Sequence, residues 1–195
     1  MPTIRLANPS DSENLLKIYA PYIENTAISF ETHVPSVLEF ASRIEAITSH
    51  YPFLVYEKNG SIVGYAYASQ HMERAAYAYD VDVSIYVLPA FHGEGIARKL
   101  YQCLFALLKT LGYYNAYALC TLPNEKSEKF HQKLGFTLIG VHHKTGYKLN
   151  RWHDVAWFEK SISDDPPHPG AIKSIHELPA DELHKLFRNI LNAPS

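Results

Sequence analysis

The chain has 195 residues, of which 47% are hydrophobic and 19% charged, with a formal net charge of -2. That is the composition of a globular protein with one full core and room for a short appendage, and it excludes a disordered or fibrous chain. With no basic excess and no acidic block, neither a nucleic-acid partner nor a solvating tail is expected, and the anionic partner that fits is a small molecule gripped locally.

In chain order, Thr3–Leu6 alternates as a short strand. Ser10-Asp11-Ser12-Glu13 reads as a capping box opening a helix with Leu15, Ile18, Tyr19 and Ile23 on one face, which Pro21 is expected to break or kink. A loop from Asn25 to Val34 carries Phe30 and Glu31. Pro35 opens a second helix with Leu38, Ala41, Ile44 and Ile47 in its stripe. Phe53–Glu57 and Ile62–Ser69 are strands joined by Asn59-Gly60, a tight-hairpin signal. A strand over Val81–Leu88 ends at Pro89. Gly93-Glu94-Gly95 leads into a helix holding Ile96, Leu100, Leu104, Leu107 and Leu108. Tyr113–Thr121 is a strand, and Glu125–Leu134 is a helix stopped by a left-handed cap at Gly135. Phe136–His143 and Val155–Phe158 are the last strands. Asp164–Gly170 is a linker by composition, and Leu183, Leu186, Phe187, Ile190 and Leu191 keep helical spacing, expected to dock on this domain or a dimer mate. The order predicts an α/β (α+β) fold, a mostly antiparallel sheet flanked by helices with at least one parallel crossing. The expected division is a domain over 1–162 and a proline-rich linker with an amphipathic helix over 163–195.

Met1–Leu6 has no apolar leader run and no stretch reaches the ~18 residues of a membrane span, so the cytoplasm is the expected location. Cys103 and Cys120 stand far apart with apolar flanks and read as core residues, not as ligands or nucleophiles.

The segment from Ser84 to Leu100 carries the chemistry. A strand runs into a glycine-bearing loop that opens a long amphipathic helix, so loop amides and the helix dipole can hold a pyrophosphate. A P-loop would need a Gly-Lys-Ser/Thr ending, which is missing, and a dinucleotide fold would need this loop near the start of a βαβ unit. His92-x-x-Gly95-x-Ala97 resembles the Gln/Arg-x-x-Gly-x-Gly/Ala loop of the GNAT acetyltransferase superfamily, with His92 replacing Gln or Arg. Asn124 to Phe136 resembles the superfamily's second segment, Asn-x-x-Ala/Ser-x-x-x-Tyr/His-x-x-x-Gly-Phe. Within the superfamily the chain looks like the phosphinothricin and methionine sulfoximine N-acetyltransferases over residues 3–160. The pieces that carry this are Ile18-Tyr19 through Phe30, Tyr51 to Val55, Arg74 to Tyr77, Ser84 to Val87, Leu122-Pro123-Asn124, and above all Gly146 to Val155.

This resemblance implies acetyl-CoA as co-substrate and no metal. The cofactor would be held by Ile85, Tyr86, Val87, His92, Gly93, Glu94, Gly95, Ile96, Ala97, Arg98 and Asn124. It implies direct attack by a small-molecule amine, with Asp82 at a position usually held by a glutamate base and His131 at the acid/base position of the second segment. Phe30, Arg74, Tyr77, Asp82, Val83 and Ser84 would meet the acceptor, Arg74 by gripping a carboxylate. Met72 and Asp80 stand where relatives often have arginine and threonine, so the pocket is expected to be less cationic; Asp80, on the same strand face as Asp82, is the fallback base. A homodimer is also implied. Competing readings are an acetyltransferase for peptide N-termini or other amines, a catalytically weak acyl-CoA-binding regulator, and an interaction protein using the tail helix.

Overall fold

The computed structural model describes residues 2–164 and 168–193; residues 165–167 of the expected linker lie outside the described residues. One seven-stranded sheet carries the fold: β1 (Thr3–Leu6), β2 (Phe53–Lys58), β3 (Ser61–Gln70), β4 (Asp80–Val87), β5 (Asn115–Thr121), β6 (Thr137–Lys148) and β7 (Arg151–Ser161). Their spatial order is β1-β2-β3-β4-β5-β7-β6. Every pairing is antiparallel except β4 with β5, which run parallel. Helices α1 (Ser12–Asn25) and α2 (Val37–Thr48) cover one face, and α3 (Ile96–Leu111) the other. Alternation explains the layering: on β2, Phe53 and Val55 join the α1/α2 core while Leu54 and Tyr56 join the α3 core. A strand buried on both faces therefore reads as a continuous apolar run.

Three local expectations are corrected. Helix α1 continues through Pro21 to Asn25. The carbonyl that proline leaves unpartnered is that of Lys17, an exposed residue where water can take its place, while Tyr19 and Ile23 on either side are buried. The capping box lies two residues earlier than expected. Asn8 Oδ1 accepts from the Ser10 amide (3.0 Å), and Asp11 Oδ2 accepts from the Asn8 amide (2.9 Å). Arg5 fixes this register by holding Asp11 with two N–H···O bonds of 2.7 and 2.8 Å. Third, residues 144–154 extend the last two strands into one long hairpin. Its two-residue turn is Leu149-Asn150, both left-handed with φ of 52° and 59°. Without glycine the turn carries no strong sequence signal.

The tail helix α5 (Ala180–Asn192) docks on its own domain, against β1 and α3. Leu183 and Phe187 are buried in the α3-side core together with Ile175, and Lys99 Nζ donates to the Leu191 carbonyl (2.8 Å). Phe187→Ala is therefore expected to lower stability by about 3–4 kcal/mol in urea denaturation, whereas the exposed neighbour change Arg188→Ala should stay within about 0.5 kcal/mol. Equal effects would mean the helix is not part of the cooperative core.

Candidate active site

The site begins where two strands part. Strand β4 pairs with β3 along its whole length, from Gln70↔Val81 to Gly64↔Val87. It pairs with β5 only at Asp80↔Asn115, Val81↔Ala116 and Asp82↔Tyr117. Beyond Asp82 the edges diverge, and peptide groups of β4 facing the gap are free for a ligand. A cavity of about 680 Å³ occupies the opening. Asp82, Val83, Ser84, Ile85 and Tyr86 line it from β4, and Leu119 and Thr121 from β5. Tyr101 of α3 joins them, with Ser127 and His131 of α4 (Glu125–Lys133). The loop residues Ser29, Phe30 and Glu31 close one side, and His142, Thr145 and Trp157 another.

Asp82 is the carboxylate at the point of divergence. Its Oδ1 lies 2.7 Å from His71 Nδ1. Burial pushes its carboxyl above the usual range, and the His71 contact draws it partly back. Glu31, the second carboxylate, is engaged by Arg43 Nη1 (2.7 Å) and by the Tyr19 hydroxyl (2.9 Å). Among the described residues no Lys or Arg lines the cavity.

His131 is 4% exposed. Its Nδ1 lies 2.8 Å from the Ser127 carbonyl, which can only accept, so Nδ1 carries the hydrogen and Nε2 the lone pair. Nε2 is buried without a partner. Desolvation lowers the tendency of this ring to protonate, outweighing the Ser127 bond. In the neutral ring that burial favours, Nε2 is a free acceptor facing the cavity side of α4. Tyr101 is fully buried, and desolvation holds its phenol protonated far above the ordinary range.

The expected phosphate loop lies between β4 and α3. Gly93 and Gly95 have φ of 87° and 78°, the left-handed region that favours glycine. A Cβ at either would meet nothing within 4 Å, so the backbone stands open on that side. Gly95 is the N-cap of α3 and makes no side-chain cap, which leaves first-turn amides for an anion. These features fit a pyrophosphate. His92 does not reach outward as a Gln or Arg would. Its Nε2 sits 3.0 Å from the Val87 carbonyl and 3.2 Å from the Tyr22 hydroxyl. Glu94 is held by Lys58, Nζ to Oε2 at 2.5 Å. Asn124 caps α4 by accepting from the Ser127 amide (3.2 Å), at the same end of the sheet.

The structure therefore brings Phe30, Asp82, Val83, Ser84, Ile85, Tyr86 and His131 around one cavity. Val87, His92 to Arg98 and Asn124 follow the ends of β4 and β5 but do not line it. Arg74 and Tyr77 lie in a neighbouring cleft with Gln70, His71 and Met72, so the placement brings no carboxylate grip to the main cavity. Asp80, the fallback base, lines a different cleft and accepts from Asn115 Nδ2 (3.1 Å). Sequence reasoning missed Tyr101, His71, His142 and Trp157. Tyr101 sits in an apolar helical stripe and so resembles a core residue, and the others follow from register alone. Cys103 and Cys120 are buried free thiols, the former pushed up to about 12 by burial, consistent with core roles.

A family model for the acetyltransferase (GNAT) domain matches residues 4–157. A phosphinothricin N-acetyltransferase of Streptomyces viridochromogenes is 32% identical over 167 residues, 85% of this chain and 91% of that protein. An L-methionine sulfoximine/L-methionine sulfone acetyltransferase of Salmonella typhimurium is 29% identical over 163 residues, 83% of this chain and 95% of that one. Among solved structures, a GNAT phosphinothricin acetyltransferase from Sinorhizobium meliloti in complex with acetyl-CoA superposes with a TM-score of 0.80 at 32% identity, covering 94% of this chain and 98% of that chain.

Two outcomes follow from this geometry. Gly95→Val places a β-branched residue in a left-handed conformation at the amide cradle, so acetyl-CoA affinity measured by calorimetry should fall at least about tenfold in a folded variant. His131, held by burial below the ordinary histidine value of 6.5, contributes stability that is present above pH 6.5 and lost as pH falls through the lowered value. Urea midpoints across that window should fall less steeply in His131→Gln than in the wild type.

Proposed function

The chain belongs to the GNAT acetyltransferase family and is an acetyl-CoA-dependent N-acetyltransferase, and we propose that its acceptor is the amino group of a small amino-acid-like molecule, attacked directly in a ternary complex. Two relatives are named for such substrates, phosphinothricin and methionine sulfoximine or sulfone. The observation that carries the proposal is the cavity between β4 and β5, with the half-buried Asp82 carboxylate at the point where the strands part.

Acetyl-CoA supplies an acetyl group already activated as a thioester. The chain supplies position and proton handling. Asp82 attracts the acceptor ammonium and takes its proton, directly or through a water, and the raised affinity of its carboxyl for protons suits that task. A β4 amide on the open edge, near Tyr86, donates to the oxyanion that develops on the acetyl oxygen. Tyr101, a buried protonated phenol on the cavity wall, gives a hydrogen bond to the leaving sulfur, and the thiolate takes its proton from the nitrogen that has displaced it. The neutral His131 holds Nε2 as an acceptor for the incoming amine or its water. Neither thiol is placed as a nucleophile, because burial pushes both above their ordinary range. A homodimer belongs to the same reading, with the exposed Leu138 and Ile139 of β6 as apolar surface for it.

Free-thiol release from acetyl-CoA, screened across phosphinothricin, methionine sulfone, methionine sulfoximine, standard amino acids, polyamines and short peptides, tests the acceptor class. Turnover confined to peptides or polyamines would overturn it. On the best acceptor, Asp82→Asn should lower kcat by roughly 10²-fold or more with little change in acetyl-CoA affinity, and Asp82→Glu should retain activity. Unchanged kcat in Asp82→Asn would remove Asp82 as the base.

A further inference from the structure

His71 follows the end of β3 and lies between the main cavity and the neighbouring cleft. Its side chain is only 8% exposed. Its ring stacks on Tyr117 of β5 at 4.1 Å and 14°, with the rings of Tyr77 and Trp157 edge-on at 6.3 and 6.2 Å. Three aromatic neighbours fix the plane of the imidazole, and that plane aims Nδ1 at Asp82 Oδ1, 2.7 Å away. A carboxylate accepts, so Nδ1 carries the hydrogen of this bond.

We propose that His71 is a positioning residue for Asp82: its Nδ1–H holds Oδ1 fixed, leaving Oδ2 to take the proton of the acceptor amine. This rests on the reading of Asp82 as the base. A short carboxylate at the fork of two strands has rotamers that turn it along either strand, and each costs entropy to suppress. One bond from a ring that is itself immobilised removes that freedom before the substrate arrives. The same bond opposes the burial that raises the Asp82 carboxyl.

The surroundings leave this task to His71. Tyr117 turns its hydroxyl to Glu159 of β7 (2.8 Å). Asp80, two residues back on β4, is engaged by Asn115. Tyr67 of β3 adds no positive charge, and burial keeps it protonated. Arg74 and Glu73 share the neighbouring cleft with His71, while the ion pair of Asp82 is with His71. Among the described residues His71 is the only side chain able to carry positive charge that is hydrogen-bonded to Asp82.

The decisive measurement needs no substrate. The carboxyl carbon of Asp82 is followed by NMR through a pH titration of the ligand-free protein, assigned by its absence in Asp82→Asn. His71→Phe keeps a ring to stack on Tyr117 but has no donor, and the Asp82 midpoint should rise by about one pH unit or more. His71→Asn keeps a side-chain N–H near the Nδ1 position, and its midpoint should stay near that of the wild type. A midpoint in His71→Phe within about 0.3 unit of the wild type would overturn the proposal. Should His71→Phe fail to fold, the test passes to His71→Asn and His71→Leu, where a midpoint raised only in the leucine variant supports the proposal and equal midpoints overturn it. If the midpoint shifts as expected while Asp82→Asn retains turnover, His71 positions Asp82 and the base lies elsewhere. If Asp82→Asn is inactive and the midpoint does not move, the base reading stands and the positioning inference fails.

Discussion

The β4–β5 ladder stops after three residue pairs, and the active site depends on that interruption. A fully paired sheet would consume the β4 edge groups that a ligand needs. The two strands are parallel, so a crossover must join them, and α3 fills that role. A crossover helix starts at the carboxyl end of the strand it follows, which here is the parted end. The glycine loop and the free amides of the first turn of α3 are thereby delivered beside the gap. Strand β5 runs in the same direction, so Asn124 and the start of α4 arrive at that end too. Two motifs separated in sequence are brought together by topology, as ligand sites outside the carboxyl ends of parallel strands generally are.

The cavity holds its polar groups mostly in neutral form. Burial raises the phenols of Tyr19, Tyr86 and Tyr101, so each remains a hydrogen-bond donor, and it keeps His131 uncharged. The two carboxylates are the exceptions, and each has one partner able to carry positive charge, Arg43 for Glu31 and His71 for Asp82. Isolated carboxylates in a part-buried cavity would be costly, and one partner each reduces that cost without filling the cavity with charge. What remains is a cavity with two partnered carboxylates among neutral hydrogen-bond donors.

Much of this was legible in the sequence where one residue dictates one conformation. Asn59-Gly60 marked the β2–β3 turn, Gly135 the left-handed end of α4, and Gly93 and Gly95 the backbone that opens α3; all have positive φ. The misreadings share a cause: distant partners overrode local signals. Arg5 fixed Asp11 and moved the capping box to Asn8, and core packing of Tyr19 and Ile23 carried α1 past Pro21. The turn at Leu149-Asn150 is held by strand pairing on both sides rather than by glycine. The segment from Arg74 to Tyr77, which carries a family-like pattern, lines a cleft beside the cavity together with His71. No local pattern could announce His71, because its meaning lies in a pairing with a residue eleven positions away across β3 and β4.

The Gly146–Val155 segment, distinctive in sequence, gains its meaning from the loop that Phe30 occupies. A Cβ on Gly146 would lie 2.1 Å from Phe30 Cε2, so the glycine makes room for the ring that lines the cavity. Two residues on, the buried Lys148 donates from Nζ to the Ser29 carbonyl (2.6 Å). Ser29 Oγ in turn meets the Tyr19 hydroxyl (2.7 Å), which also bonds Glu31. The β6–β7 hairpin and α1 therefore hold the loop of Ser29, Phe30 and Glu31 from opposite ends. A side chain added at Gly146 would act on the cavity through Phe30 without touching a ligand, and shortening Lys148 would strand the Ser29 carbonyl in a buried position. The loop and the hairpin are complementary halves of one wall of the cavity, so a change of side-chain volume at Phe30 is felt at Gly146 and the reverse.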